Sequence, residues 1–391
     1  MKYNFDKVID RSGTSAEKVE GLKHIWGRTD LIPLWVADMD FATAPFVTDA
    51  IRKRCENEVL GYTGKPDSYY NAIINWVKQR YDLIVTKEVI NFVPGIVPGI
   101  GMAMNCFTQK GDKVMIQPPV YHPFAWVTTR KERTLVINPL RWENGMYRMD
   151  LDAFREQIKG CKLFILCNPH NPGGVVWTEA ELRAIADICY DEKVLVFSDE
   201  IHADLTLPPH THRPFATVSE KARMNSVTFM SPSKVFNMPG LSASHALIFN
   251  EDLRKRFRIY MDAGELDMGH VFAFLSVEAA YSHGTEWLDQ CLAYIQGNID
   301  FVDEFLKKHA PKIKAIRPEA SYLVWLDCRE LELSQKDLNE FFVDKAHLAL
   351  NDGEMFGKEG IGFMRLNVAS PRCIIEKAMK QLADAYQLYI K

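Results

Sequence analysis

No Cys-x-x-Cys pair occurs in this chain; its eight cysteines are scattered at positions 55, 106, 161, 167, 189, 291, 328 and 373. Spread in this way over 391 residues, they read as buried or free thiols of a reducing compartment, not as a disulfide framework. His170, His202, His210 and His212 lack the regular spacing and flanking cysteines of a zinc site, so no metal is expected. No apolar run approaches the roughly 18 residues of a membrane span. The opening stretch MKYNFDKVIDRSGTS has neither the apolar core nor the small-residue cleavage site of a secretory signal, and the expected location is cytoplasmic. Neither sign of charge prevails. With 47 Lys and Arg against 51 Asp and Glu, the formal charge of −4 gives no electrostatic ground for nucleic acid or an anionic membrane as partner. Internal repeats and low-complexity linkers are also missing, and nothing resembles a DNA-binding helix-turn-helix extension.

What remains is an ordinary globular composition, 47% hydrophobic and 25% charged, in a chain long enough for two domains. Strand-like and helix-like patterns alternate from about residue 90 to 250, which predicts an α/β fold with a mostly parallel sheet flanked by helices. After Ser276 the chain turns helical over Val277–Tyr281, Glu286–Leu306, Leu338–Asp344 and Cys373–Tyr389, with strand-like Ser321–Leu326 and Gly362–Leu366 between them. The expected organisation is a large domain over 46–280 and a smaller α+β domain over 281–391, completed by the N-terminal segment 1–45. Within the first part, helices are expected from about Pro45 to Val59 and from Tyr69 to Tyr81.

Several short apolar runs end in polar, chemically capable residues, the arrangement that puts chemistry at the carboxyl ends of strands in an open α/β sheet. Val227–Met230 leads into Ser231-Pro232-Ser233-Lys234-Val235-Phe236-Asn237-Met238-Pro239-Gly240-Leu241. A lysine there, if desolvated, is a candidate amine nucleophile, since burial or nearby cations lower its pKa from about 10.4. Ser231 and Ser233 offer hydroxyls to a phosphate. Leu163–Cys167 runs into Asn168-Pro169-His170-Asn171-Pro172-Gly173-Gly174, and Val194–Phe197 into Ser198-Asp199-Glu200-Ile201-His202. Val93-Pro94-Gly95-Ile96-Val97-Pro98-Gly99 opens a helix, so the backbone N–H groups of Gly95, Ile96 and Val97 suit a phosphate.

The ordered set of these three motifs, NPxNPxG, SDEIH and SPSK, resembles the pyridoxal-phosphate enzymes of the aspartate-aminotransferase fold type, class I/II. The resemblance extends over almost the whole chain. It is closest to the cystathionine β-lyase branch, the MalY/PatB-like C–S lyases, because SDEIH carries His202 where many aminotransferases of the superfamily have a tyrosine. It implies pyridoxal 5′-phosphate held through Lys234, with Asp199 at the pyridine nitrogen, Asn171 at the phenolic oxygen and Tyr121 stacked on the ring. An arginine fork binds a carboxylate bidentately, and Arg365 in Phe363-Met364-Arg365-Leu366-Asn367 matches the family's site for the substrate α-carboxylate. Val36-Ala37 would border that site, with Trp35, Phe41 and His122 as candidate walls. Tyr62 in the turn Gly61-Tyr62 matches a tyrosine that reaches the cofactor phosphate of the neighbouring subunit, which implies a homodimer with shared active sites. Many aminotransferases carry an arginine for that phosphate where this chain has Ser242. The resemblance therefore implies β-elimination from a cystathionine- or cysteine-like amino acid, with transamination as the alternative. A catalytically silent regulator of the same fold is a third reading, disfavoured by the intact set of Lys234, Asp199, Asn171 and Arg365.

Overall fold

Runs such as Leu195–Asp199 and Ser226–Met230 carry apolar or small side chains at nearly every position, the pattern of a strand covered on both faces. In a computed structural model, which describes residues 1–389, they lie in the middle of a seven-stranded sheet. Its strands are β1 (Ile90–Val93), β2 (Lys113–Ile116), β3 (Thr134–Ile137), β4 (Cys161–Cys167), β5 (Leu195–Asp199), β6 (Ser226–Met230) and β7 (Ser244–Leu247). Their order is β1-β7-β6-β5-β4-β2-β3. Only β7 runs antiparallel to its neighbours, β1 and β6, while the other pairings are parallel. This is the mostly parallel, helix-flanked large sheet that the alternating pattern predicts.

The two-residue period of a strand divides its side chains between two cores. Along β4, Leu163, Ile165 and Cys167 join Ile100, Met104, Phe124 and Phe257 on one side of the sheet. Phe164 and Leu166 join Phe154, Leu182 and Ile185 on the other. Helix Ile96–Phe107 covers the first side, and helix Glu179–Asp191 the second. The latter starts at a capping box in which Thr178 and Glu181 satisfy each other's backbone N–H groups.

A second sheet is built from β8 (Lys314–Ile316), β9 (Leu323–Asp327), β10 (Asn351–Asp352) and β11 (Phe363–Asn367), in the order β8-β9-β11-β10 and antiparallel throughout. The N-terminal segment leans on it. Ile32 and Pro33 pair with Leu348 and Ala349, Asn367 donates its N–H to the Leu34 carbonyl, and Asp40 donates to that of Ala369.

Some elements differ from their expected spans. The helix expected to reach Val59 stops at Cys55, because Arg52, Lys53 and Arg54 crowd the end where a helix best tolerates cations. Residues 56–62 then run fully exposed. The segment expected as Leu338–Asp344 is α-helical only over Gln335–Glu340 and continues as a π-helical turn, Phe341–Lys345. Helix Val271–His283 begins well before Val277.

Candidate active site

Asp199 is the last residue of β5, and its register partners are Cys167 at the end of β4 and Phe229 near the end of β6. The loops leaving these three strands therefore open at one edge. There they enclose a cavity of about 310 Å³, the low end of the range for small-molecule sites. Ala37, Gly95, Ile96, Val97, Tyr121, Asn171, Asp199, His202, Ser233 and Lys234 all line it.

At one end, Gly95 precedes helix Ile96–Phe107 with φ +143°, a backbone conformation that side-chain-bearing residues rarely adopt. Free N–H groups of the first helical turn face the cavity there, together with Ser233, Ser242 and Ser244. Ser231 is placed differently. Its hydroxyl is spent on Ser233 Oγ and the Ala243 carbonyl, both at 2.8 Å, and it does not line the cavity. Sequence reasoning missed Ser244, Ala243 and Pro239, which a turn and a short strand carry back to the helix N-terminus. Ser242 had a signal, standing where an arginine was expected.

Lys234 sits in the turn after β6 and donates from Nζ to the carbonyl of Ala37, which also accepts from Tyr322 Oη at 3.0 Å. Burial, aided by the charge of Arg365, pushes the amine down to about 8, while Asp38 and Asp199 pull the other way. In the cofactor-free protein, acylation of this lysine by a neutral reagent should therefore rise with a midpoint near pH 8 rather than the ordinary 10.5. Peptide mapping across a pH series measures it, and a midpoint near 10.5 would mean that the amine is hydrated.

Across the cavity, burial pushes the Asp199 carboxyl up to about 7, and the charge of Glu200 adds to the effect. One carboxyl oxygen accepts the Ile201 N–H at 3.1 Å. The other has no hydrogen-bond donor among the described residues. His202 is buried, with Nδ1 unpartnered; burial and the nearby cations of Lys234 and Arg365 push it down to about 3, so the ring is neutral. Tyr121, edge-on to Phe124 at 5.7 Å, presents an aromatic wall.

Arg365, on β11, lies outside this lining but touches it. Nη1 donates to Asn171 Oδ1 at 3.1 Å, and Nη2 donates to the Trp35 carbonyl and to Asn351 Oδ1. The bond to Oδ1 leaves the amide NH₂ of Asn171 free for the cavity. All three acceptors are neutral, Nε is buried without a partner, and no carboxylate pairs with this guanidinium among the described residues. Burial lowers its pKa to about 10. A buried cation of this kind is stabilised by an anion from outside the chain.

The remaining expected residues fall elsewhere. Val36 lends only its carbonyl, to Asn367 Nδ2 at 2.7 Å. Phe41 is buried against Phe5 and Tyr294 in the core, because the chain between Met39 and Phe41 is pinned to Asn237. Trp35 packs edge-on to Trp26. His122 turns away toward Trp126 and Phe356. Tyr62 is 98% exposed and borders a groove with Met268 and His270, away from the cavity of its own chain.

The donor set fits pyridoxal phosphate. The cavity gathers a buried carboxyl with one oxygen lacking a donor, an amide NH₂ left free, a buried amine, and the N-terminus of a helix with three serine hydroxyls, groups that suit a pyridine nitrogen, a phenolic oxygen, an aldehyde and a phosphate.

The family model for aminotransferase class I and II matches residues 29–382. The chain is 38% identical to the cystathionine β-lyase PatB of Bacillus subtilis over 384 residues, 98% of this chain and 99% of that one. It superposes on cystalysin of Treponema denticola, a structure containing pyridoxal 5′-phosphate, with a TM-score of 0.96 and 33% identity over the whole of both chains. The pyridoxal-phosphate-bound C–S lyase of Staphylococcus hominis gives 0.91 and 34%, covering 98% of each chain.

Proposed function

The chain belongs to the aminotransferase class I and II family, in its cystathionine β-lyase branch, and from that premise we propose how its residues carry out pyridoxal-phosphate-dependent C–S β-elimination. The observation that carries this reading is the convergence of Lys234, Asp199 and Asn171 on one cavity. Pyridoxal phosphate, when bound, supplies an aldehyde for the substrate amine and a ring that accepts the electron pair released at Cα. Asp199 holds the proton on the pyridine nitrogen, and Asn171 donates its amide N–H to the phenolic oxygen. Arg365 grips the substrate α-carboxylate. With that end fixed, the amine of Lys234 takes the Cα proton, its lowered pKa leaving about a tenth of it unprotonated at pH 7 and half at pH 8. Departure of the thiolate from Cβ then leaves three carbons that water carries to pyruvate and ammonia. Tyr121 covers the ring face, and Gly95, Ile96, Val97 and Ser233 hold the phosphate.

The test is incubation of the pure enzyme with cystathionine and no keto acid. Stoichiometric pyruvate and thiol over many turnovers are expected. A single turnover that stops with the cofactor converted to pyridoxamine phosphate would identify an aminotransferase instead.

The proposal includes a homodimer. Tyr62 is exposed beside Leu60 and Val59, an apolar group unusual for a solvated loop. In a two-fold dimer each such loop finishes the phosphate site of the other chain. Mixing inactive Tyr62→Ala and Lys234→Ala subunits should then restore activity, since each mixed dimer holds one intact site. Differently tagged subunits report exchange, and a mixture that exchanges yet stays inactive, or an active monomer found by sedimentation, would place Tyr62 in its own chain's site. No helix among the described residues is long and apolar enough to cross a membrane, and a cytoplasmic location is part of the proposal.

A further inference from the structure

Four consecutive carbonyls, from Trp35 to Asp38, each accept a hydrogen bond from a residue of the site or its immediate neighbour. That of Trp35 takes Arg365 Nη2 at 3.1 Å, and that of Val36 takes Asn367 Nδ2 at 2.7 Å. The carbonyl of Ala37 takes Lys234 Nζ and Tyr322 Oη, and that of Asp38 takes Asn367 Nδ2 again, at 2.6 Å. Lys234 follows β6 of the large sheet, whereas Arg365 and Asn367 stand on β11 of the second. One stretch of backbone therefore sets how the amine and the guanidinium lie relative to each other.

This stretch is held from behind by a square of charges. Arg11 donates from Nη2 to Asp38 Oδ2 at 2.6 Å and from Nη1 to Asp40 Oδ1 at 3.4 Å. Lys18 donates to Asp40 Oδ2 at 2.9 Å and lies 3.6 Å from Asp38 Oδ1. Two cations thus face two carboxylates, and the set is balanced only when complete. Lys18 is fully buried. It stands in the first turn of helix Glu17–Trp26, the end of a helix where a cation is least favoured, so the aspartates and not the helix account for an ammonium at this position. The same helix also reaches the carbonyl ladder, since Trp35 donates from Nε1 to the Lys18 carbonyl at 3.0 Å.

On its other side the square faces the amine. Oδ1 of Asp38 is buried and has no hydrogen-bond donor among the described residues, and its charge favours the protonated form of Lys234. The other groups that face this lysine are Asp199 and the neutral His202 at the end of β5, Arg365 from β11, and the Tyr322 hydroxyl that shares its acceptor. The charge Asp38 exerts there depends on how fully Arg11 and Lys18 offset it.

We propose that Lys18 and Arg11 are positioning residues: through Asp38 and Asp40 they set the carbonyl ladder that aligns Lys234 with Arg365, and they fix how much negative charge Asp38 presents to the Lys234 amine. The consequence for turnover rests on the β-lyase reading. The charge effect does not.

The first readout is the acylation midpoint of Lys234 in the cofactor-free protein, mapped by peptide across a pH series. Lys18→Met keeps most of the buried side chain but removes its charge, so Asp38 is undercompensated and the midpoint should rise from about 8 by about half a pH unit or more. Arg11→Gln, at a side chain 25% exposed, should move it the same way by less. Asp38→Asn should move it below 8, and the double variant Lys18→Met/Asp38→Asn, with charges balanced again, should return it toward the parent value. Residues that served the fold alone would cost stability without displacing the midpoint in opposite directions. Midpoints unchanged in Asp38→Asn and Arg11→Gln, or moved the same way by both, would overturn the proposal even where Lys18→Met fails to fold. In the holoenzyme, Lys18→Met should lower kcat/KM for L-cystathionine roughly tenfold, with kcat reduced and KM raised, because the amine and the guanidinium both hang from the ladder. A moved midpoint with unchanged kcat/KM would refute the alignment. Parent enzyme that releases no pyruvate from L-cystathionine counts against the β-lyase reading alone, whereas unmoved midpoints count against the positioning role whatever the reaction.

Discussion

Lys234→Ala is expected to lower pyruvate release on the order of 10⁴- to 10⁶-fold, because in the proposed function one side chain would both anchor the cofactor and move the Cα proton. Among the described residues no other amine lines the cavity. The variant should keep its fold, since the Nζ of Lys234 spends its hydrogen bond on the Ala37 carbonyl, which Tyr322 continues to satisfy. It should also retain cofactor weakly, through the serine hydroxyls and helix N–H groups at the phosphate end. Borohydride reduction of the wild type followed by peptide mapping locates the anchoring lysine. Label on any other residue would refute the assignment, as would a variant that turns over at more than a percent of the wild-type rate.

Asp199→Asn should cut turnover by about 10²–10³-fold or more while changing cofactor affinity much less, since the ring proton that Asp199 is proposed to hold would matter most when charge develops on the ring. The same substitution should strengthen the cofactor-free fold at alkaline pH. An ordinary aspartate titrates near 3.8, and burial holds this one near 7. Between those values the folded chain keeps a proton that the unfolded chain has released, so stability falls as pH rises from about 4 to 7. Above pH 7 the full cost of the buried charge is present, ~4 kcal/mol at about 1.4 kcal/mol per pH unit. Asparagine removes it. Urea unfolding of the cofactor-free proteins should show the variant ahead by a few kcal/mol at pH 8 and level with the parent near pH 4. Equal stability at both pH values would mean that water or an internal donor already satisfies the carboxylate. With cofactor bound, the pyridinium N–H supplies the missing charge, and the order at pH 8 should narrow or reverse.

Much of the large sheet was readable from sequence because its central strands are covered on both faces. That forces unbroken apolar runs such as Leu163–Cys167 and puts each polar motif at the end of one. Lys234, Asp199 and Asn171 were found for this reason, Asp199 being at a strand end and the other two four residues beyond one. β7 was harder to see. Ser244 and His245 interrupt its apolar character, and His245 lies in the core with both ring nitrogens unpartnered. The contribution of Ser244 to the cavity was hidden with it. Asn351 and Phe356 were missed for a different cause. Each meets Arg365 only through pairing or packing set up by the second sheet, and no local pattern announces a contact made across such a separation. Phe41 misled by proximity in sequence, since its neighbour Ala37 does reach the cavity while Phe41 points back into the core.

The backbone contact between Gly353 and Gly360 makes the six residues between them a closed loop. A Cβ on Gly353 would lie 2.1 Å from the Gly360 carbonyl oxygen and one on Gly360 2.0 Å from that of Gly353, so the two ends meet only as glycines, and the stretch they enclose carries Phe356, whose ring centroid lies 4.8 Å from the Arg365 guanidinium of β11. Phe356→Ala should therefore loosen that guanidinium and raise KM for amino-acid substrates, whereas substituting either glycine should damage the enzyme toward every substrate alike.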